Sequence, residues 1–305
     1  VECHTQVDSN PAMFPEETIR AWKRDHEARV ASLLSVGLVA QRTVALHVHA
    51  RFGAGEGRSL LAPADAMLSA TLQSNRYFDD PGGRLTIDAD TFRRDSEQDY
   101  WQSALDELTG CWRRWMAGRG GISDIEHLTV FASGPIPVLI ALGRLIGDTR
   151  PVDVRDFDRQ TSSWRWPDME AAALEVTTSE LEDCRGPEIR LVVEVSGVMD
   201  REAQHRAVGK RLPEIRVGVS DPRPGLVRGP AVLPGLRSEF QRAMEIAKRR
   251  VGDTGAVHLF AAVPASAAVA FGQSLVPKEV ARLSHDDNNV AAQGWRRALS
   301  IEHGM

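Results

Sequence analysis

One aromatic and basic segment carries side chains that could bind a nucleotide. Trp164-Arg165-Trp166 places a cation between two flat aromatic rings, and residues 76–78 (Arg-Tyr-Phe) offer a weaker version of the same combination. Aromatic rings stack on bases, and a guanidinium group neutralises a phosphate. Tryptophans also seal hydrophobic cores. Residues 164–166 therefore predict either a stacking surface or a core element, whereas a core role is favoured for residues 76–78.

A glycine-rich turn is a second candidate for nucleotide chemistry. Gly53-Ala-Gly-Glu-Gly57 follows a predicted strand and precedes a predicted helix, which is the setting in which phosphates bind at a helix N-terminus. The spacing is G-x-G-x-G, and Arg58 stands where the third glycine of the dinucleotide fingerprint belongs. A plain turn is favoured, and a nicotinamide-dependent enzyme that uses this turn is the alternative.

Two serines and one Cys-His pair could support hydrolytic or metal chemistry. Ser133 and Ser196 each follow a predicted strand and precede a glycine, but neither lies in a G-x-S-x-G nucleophile motif. No histidine and aspartate can be paired with them by spacing, so turn chemistry is favoured and no catalytic residue is predicted. Cys3-His4 is too small a set to indicate zinc by itself.

The elements that must position these residues are duplicated along the chain. Residues 128–143 return in altered form as residues 257–272, at an offset of 129, and the pairing joins Phe131 to Phe260 and Gly143 to Gly272. Each copy predicts a strand, a turn with proline and a helix that ends in glycine. A chain of two copies has a seam between them, where a ligand can bind.

Strands that alternate with helices predict an α/β fold with one parallel, Rossmann-like sheet in each half. We expect strands at 43–50, 151–157, 188–195 and 214–219, and helices at 63–73, 98–116 and 237–251, with a charged helix near 15–29. The two repeated strand–turn–helix units are expected at 126–146 and 257–275. Ligands of open α/β sheets bind beyond the carboxyl ends of the strands. The candidate turns are therefore 51–57, 133–137, 158–166, 196–199 and 263–266.

The composition is that of a globular protein, with 305 residues, of which 42% are hydrophobic and 26% charged. A net charge of −5 argues against a surface built for nucleic acid. Three widely spaced cysteines indicate a reducing cytoplasm. The longest apolar run, 128–147, contains two prolines and an arginine, so it predicts a buried strand and helix and no membrane span.

The duplicated segments resemble the SAVED domain, in which two CARF-like Rossmann halves are fused. The resemblance rests on His127 to Arg144 and Val152 to Phe157 in the first copy, and on Val257 to Gly272 in the second. It extends over roughly residues 40–303.

The first residues resemble the end of an HNH endonuclease domain. Cys3-His4 and Asp8, followed by residues 22–27 (Trp-Lys-Arg-Asp-His-Glu), match a C-x-x-C-H-x-x-x-D segment that leads into a W-K-x-x-H-E helix end. The resemblance implies that His4 binds a metal and that Cys3 is a structural zinc ligand. A divalent metal and zinc belong to the intact HNH domain, whereas the SAVED domain needs no cofactor. The catalytic histidine of HNH sites lies upstream of this segment. We interpret the chain as a fragment that does not itself cut DNA.

Together the two segments are similar to the HNH–SAVED effector endonucleases of CBASS antiphage systems. That family implies a cytoplasmic sensor of a cyclic di- or trinucleotide, cGAMP-like, with no membrane partner. Binding drives self-association, which activates the attached nuclease against double-stranded DNA. In the family the ligand lies between the halves. By position and chemistry this implies the ligand-binding residues Arg51, Ser133, Gly134, Pro135, Trp164, Arg165, Trp166, Ser196, Pro264 and Ser266.

The expected domains follow from the same comparison. Residues 1–35 are the HNH remnant with its linker, and residues 36–305 are the SAVED domain, with halves at 36–170 and 186–305 and an acidic linker between them. The two half-sites differ, with serine and glycine at 133–134 against alanine and valine at 262–263, which suits a ligand whose two halves differ. A structural adaptor with an empty cleft is a further hypothesis.

Overall fold

The structure of the chain, a computed structural model, describes residues 15–17, 19–21, 23–24, 27, 31, 41–50, 62–78, 84–86, 97–118, 125–167, 174–180, 186–275, 282–289 and 294–302. Cys3, His4, Arg51 and the turn Gly53–Gly57 lie outside these residues. Near the N-terminus the described residues from 16 onward are helical, and Glu16 and Arg20 form an exposed ion pair of 2.6 Å one turn apart.

The first half supplies the strands β1 (Gln41–Arg42), β2 (Val44–His49), β3 (Arg76–Tyr77), β4 (Arg84–Thr86), β5 (Leu128–Ser133) and β6 (Val152–Arg155). Its helices are α1 (Ala64–Leu72), α2 (Glu97–Ala117) and α3 (Ile136–Ile146). Four strands form an all-parallel sheet in the order β4-β2-β5-β6, and β1 pairs with β3 in a separate two-stranded parallel ladder.

The second half supplies the strands β7 (Thr177–Glu180), β8 (Glu188–Glu194), β9 (Glu214–Gly218), β10 (Ala256–Ala262), β11 (Arg282–Asn289) and β12 (Gly294–Glu302). Its helices are α4 (Arg201–Val208), α5 (Leu233–Val251) and α6 (Ala265–Ser274). The sheet order is β12-β11-β10-β8-β9-β7. The inner strands are parallel, and both edge strands run antiparallel to their neighbours.

Strand β5 shows why an apolar run becomes a central strand here. Leu128, Val130 and Ala132 face a core that is continuous between the two halves, whereas Phe131 points to the opposite face and packs in a smaller cluster with Trp164. Parallel sheets are covered on both faces, so their strands read as nearly continuous apolar segments.

The halves meet where helices α3 and α6 cross at two glycines. A Cβ on Gly143 would lie 2.0 Å from the carbonyl oxygen of Val269, and a Cβ on Gly272 would lie 2.0 Å from that of Ile140. The contact is reciprocal at the offset of 129, since it joins 143 to 269 and 272 to 140. The glycine that the sequence repeats is therefore the crossing point of the two copies.

The predicted α/β fold with parallel sheets is confirmed, and several elements were not anticipated. Strand β7 lies inside the segment expected to be a linker and pairs with β9 at the edge of the second sheet. Helix α4 and the hairpin of β11 and β12 were also not predicted. No described helix has both the length and the apolar character that a membrane crossing requires.

Candidate ligand-binding site

The predicted turns that the structure describes, at 133–137, 158–166, 196–199 and 263–266, each follow a strand at its carboxyl end. Ser133 ends β5 and pairs in register with His49 of β2. The Ala50 amide continues this pairing by donating to the Ser133 carbonyl oxygen at 2.8 Å. A Cβ on Gly134 would lie 2.9 Å from that of Ala50, so the close approach of the two turns explains glycine after Ser133.

In the second half the turn after β8 is fastened to β10. The amides of Val195 and Ser196 both donate to the carbonyl oxygen of Ala262, at 3.0 and 2.8 Å. Ser196 is partly exposed, and so are Pro264 and, in the first half, Ser133, Gly134 and Pro135. These residues therefore lie at strand ends with some of their surface open to a ligand.

One carboxylate joins the two halves directly at this edge. Asp156, which follows β6 in the first half, accepts a hydrogen bond from the Ser266 amide at 2.7 Å and a second one from the Ser266 hydroxyl. Ser266 lies in the first turn of α6 and is fully buried. Ser266 was predicted as a ligand contact from its position, and in this structure both of its donors are used by Asp156.

Asp156 was not predicted as a site residue because its partner lies 110 residues away in the chain. The available signal was a charged residue directly after a repeated strand. At the offset of 129 its counterpart is His285, and the counterpart of Ser266 is Pro137, which has no amide hydrogen to donate. The carboxylate–serine link therefore exists on one side of the seam and has no chemical equivalent on the other.

Asp156 has an altered proton affinity. Burial raises its pKa from 3.8 to about 6, and the two hydrogen bonds from Ser266 oppose this change without cancelling it. A group whose pKa is raised in the folded state stabilises the fold below its unfolded pKa and loses that contribution as the pH rises through the folded pKa.

We therefore expect the wild type to gain stability relative to an Asp156→Asn variant as the pH falls from 7 to 4. The gain should be on the order of 1–2 kcal/mol, because one pKa unit corresponds to about 1.4 kcal/mol. Urea unfolding at several pH values measures it. Asp158→Asn is the control: hydrogen bonds from Thr161 and Gln160 lower the pKa of Asp158, so its contribution is lost only below about pH 4 and should stay flat from pH 7 to 4. A wild-type gain that is flat with pH would contradict the prediction.

The two tryptophans of the predicted stacking segment lie in the core. Trp164 is 2% exposed and Trp166 is 4% exposed. The Trp164 ring packs edge-on against His47 and Phe131, with centroids 6.1 and 5.6 Å away, and tilted against Phe157 at 5.3 Å. In this structure protein contacts cover the rings, which is the core role that the sequence left open.

Arg165 lies between these tryptophans in the chain and is exposed. Its guanidinium donates to the Ser69 hydroxyl at 3.3 Å. A second exposed cation, Arg228, comes from the other half and lies close enough to Asp158 to contribute to lowering the pKa of that carboxyl. A guanidinium group of the second half therefore lies near the loop that follows β6 in the first half, and such a group is suited to an anionic ligand.

The partly buried side chain of Gln73 holds the loop that carries Arg165. The Gln73 side chain donates to the Trp166 carbonyl oxygen at 2.8 Å and accepts from the Trp166 amide at 2.9 Å. The side-chain oxygen of Gln73 also accepts a hydrogen bond from the Arg155 guanidinium at 2.9 Å, and that guanidinium donates to the Asp153 carboxylate at 2.7 Å. Helix α1, strand β6 and this loop are thereby fixed to one another.

Among the described residues no group of three or more histidine, cysteine, aspartate or glutamate side chains could hold a metal ion. The predicted metal ligands, Cys3 and His4, lie outside the part of the chain that the structure describes. The predicted zinc chemistry of an HNH domain therefore stays a prediction.

Comparison with solved structures gives matches to Cap4 receptors. The chain is 12% identical to the Acinetobacter baumannii Cap4 SAVED/CARF-domain containing receptor with the cyclic trinucleotide 2'3'3'-cAAA, with a TM-score of 0.56 over 85% of this chain and 52% of that chain. The same receptor with 3'3'3'-cAAA matches at 13% identity and a TM-score of 0.54, over 73% and 50% of the two chains. The Moraxella osloensis Cap4 receptor matches at 14% identity and 0.50, over 73% and 48%.

The chain thus spans about half the length of these receptors, and at such low identity the likeness shows a shared fold. The comparison with curated proteins gives no match. The family model described as "SMODS-associated and fused to various effectors sensor domain" matches residues 113–301, which is more than half of the chain. The match includes the helix crossing, the Asp156–Ser266 link and the turns of the second half, and so the chain belongs to the SAVED family.

Proposed function

We propose that this chain is the sensor part of an antiphage effector and binds a cyclic oligonucleotide at the edge that its two halves share. The observation that carries the proposal is the seam itself, where Asp156 of one half and Ser266 of the other bring two sets of strand-end turns together. A ligand that bridges the halves gains contacts from both, and cyclic oligonucleotides have repeated base and phosphate groups suited to such a site.

The chemistry of the edge supports this ligand class. The exposed guanidinium group of Arg228, which lies near Asp158 of the other half, offers charge to a phosphate. Partly exposed serine, glycine and proline turns allow close approach of a ligand to the backbone. The Acinetobacter Cap4 receptor of the same fold has been solved with two cyclic trinucleotides, which makes that class the first to test.

The expected result is thermal stabilisation of the chain by at least one cyclic oligonucleotide. The panel contains 2'3'3'-cAAA, 3'3'3'-cAAA and cGAMP isomers, with NAD⁺ and NADH as controls. A ligand at 100 times its Kd stabilises a protein by about 2.7 kcal/mol, which gives a clear shift of the melting temperature. Stabilisation by NAD(H) alone would favour the nicotinamide-dependent enzyme, and no response to any cyclic species would overturn the proposal.

A charge reversal at the edge sharpens this test. Arg228→Glu should weaken any cyclic ligand at least about tenfold, because it turns an attractive charge near the phosphates into a repulsive one. Arg249→Glu is the matched control, since Arg249 is an exposed arginine near the C-terminal end of α5, which leads to the opposite edge of the sheet. Equal affinity of the two variants would place the ligand elsewhere.

The proposal includes what the ligand does. Binding drives self-association of the sensor, and in the full-length protein this activates an attached HNH domain against double-stranded DNA. Resemblance of residues 1–35 to the end of an HNH domain supports the nuclease part. Light scattering on the samples of the panel tests the first step, because the mass should rise only with the stabilising nucleotide.

A further inference from the structure

The side chains of Glu194 and Arg216 hold the turn that follows β8, residues 195–199. Glu194, the last residue of β8, is buried, and its carboxylate accepts a hydrogen bond from the Met199 amide at 2.6 Å. The other carboxylate oxygen accepts from the Arg216 guanidinium at 2.8 Å. Since Met199 closes the turn 195–199, one buried carboxylate fixes the spacing between its two ends.

Backbone bonds hold the same turn from the outside. Val195 and Ser196 donate to Ala262, as described above, and the Arg223 amide donates to the Val195 carbonyl oxygen at 3.0 Å. The Met199 side chain is buried against Val192 and Phe260. Between these anchors, residues 196–198 project outward, and Val198 is 73% exposed. A strongly exposed valine is held on a turn whose two ends are both anchored.

Arg216 is itself held in place, so the support is not a single contact. Its guanidinium also donates to Glu214 at 2.9 Å, and Glu214 accepts from the fully buried Arg190 at 2.5 Å. Helix α4 begins two residues after Met199 and binds the same group, because the Arg201 side chain lies 3.3 Å from the Glu214 carboxylate. The Glu194–Arg216 pair that holds the turn and the Glu214 carboxylate that binds helix α4 therefore belong to one network of ion pairs.

We propose that Glu194 is a positioning residue for ligand binding. Together with Arg216 it holds the turn 195–199 in the conformation that presents Ser196 and Val198 to the bound nucleotide. Backbone amides and small side chains bind well only when they are held in place before the ligand arrives, because the ordering cost then falls outside the binding step. The consequence for affinity rests on the proposed function, whereas the effect on the turn is a property of the chain alone.

The test has a ligand-free arm. Amide hydrogen exchange at Met199 should be at least about tenfold faster in Glu194→Ala than in the wild type, because hydrogen bonds to charged groups are among the stronger ones. Glu194→Gln keeps an oxygen that can accept from the Met199 amide, and it should restore most of the protection. Glu188→Gln is the matched control at the other end of β8, where Glu188 binds Lys210 at 2.7 Å. It should leave Met199 unchanged.

The second arm measures affinity for 2'3'3'-cAAA, 3'3'3'-cAAA and cGAMP isomers by calorimetry. Glu194→Ala should weaken the species that the wild type binds by about tenfold or more, beyond any loss seen in Glu188→Gln. Unchanged exchange at Met199 in Glu194→Ala would overturn the positioning role, and so would faster exchange with unchanged affinity. If the wild type binds none of the probes, the proposed function fails, and the exchange arm alone decides how the turn is held.

Discussion

Gly272→Ala is expected to lower the free energy of unfolding by about 3 kcal/mol, at the upper end of the usual cost of overpacking. The added methyl group would meet the carbonyl oxygen of Ile140 at 2.0 Å and the amide nitrogen of Arg144 at 2.9 Å. Both are backbone atoms, so no side-chain rotation can relieve the clash and helices α3 and α6 must move apart. Urea unfolding followed by circular dichroism measures the change.

Gly235→Ala provides the matched control for this prediction. Gly235 also lies in a helix, α5, but a Cβ there would meet nothing within 4 Å. The control should be neutral or more stable by about 0.5–1 kcal/mol, because alanine favours the helix. Equal stability of Gly272→Ala and the wild type would show that the helix crossing can yield.

The same crossing predicts a functional loss and a non-additive pair. Gly143→Ala should cost about as much as Gly272→Ala, since each glycine faces the backbone of the opposite copy. The double variant should cost less than the sum, because residues in one contact are energetically coupled. Separation of the helices would also displace Asp156 from Ser266 and weaken a ligand that bridges the halves.

The duplicated segments explain how much of the fold could be predicted from the sequence. Apolar strands such as β5 and β10, which end in turns with proline, carry a strong signal because both faces of a central parallel strand are buried. The equivalence of Gly143 and Gly272 also followed from the sequence, although their role as the point of contact required the structure.

Three of the missed elements, α4, β7 and β11, share a cause, since their side chains are mostly polar. Helix α4 buries Gln204 and His205, so it has no apolar stripe to reveal it. Strand β11 places Ser284, His285 and Asp286 in the interior, and β7 is a short run of threonine, serine and glutamate. Hydrophobic periodicity cannot detect elements of this kind.

The candidate site, like the fold, could be predicted only in part. Ser133 and Ser196 were placed correctly at strand ends because parallel topology fixes that edge. The Asp156–Ser266 link and the Glu194–Met199 support could not be predicted, because each depends on side-chain geometry that spacing does not encode. The tryptophans of the 164–166 segment were ambiguous, since the same rings serve as stacking surfaces or as core.

The polar interior of the second half leads to the other large expected effect. Glu214→Ala should lower the free energy of unfolding by about 3–5 kcal/mol, which is the usual cost of removing one partner from a buried ion pair. The side chains of Arg190 and Glu214 are both fully buried, and Arg190 would lose the carboxylate 2.5 Å away while remaining charged in the interior. Chemical denaturation measures the loss.

Two further variants decide whether buried charge is the cause. Replacing the pair together, as Arg190→Met with Glu214→Leu, should cost less than Glu214→Ala alone, because no fully buried charge then remains without its partner: Arg216 keeps Glu194, and Arg201 is partly exposed. Arg211→Ala breaks an ion pair of 3.5 Å with Glu202 whose side chains are 81% and 61% exposed, and it should have almost no effect. A double variant as unstable as Glu214→Ala would instead assign the loss to packing around α4. In that case the buried side chains would fix the position of the helix through their shape and not through their charge.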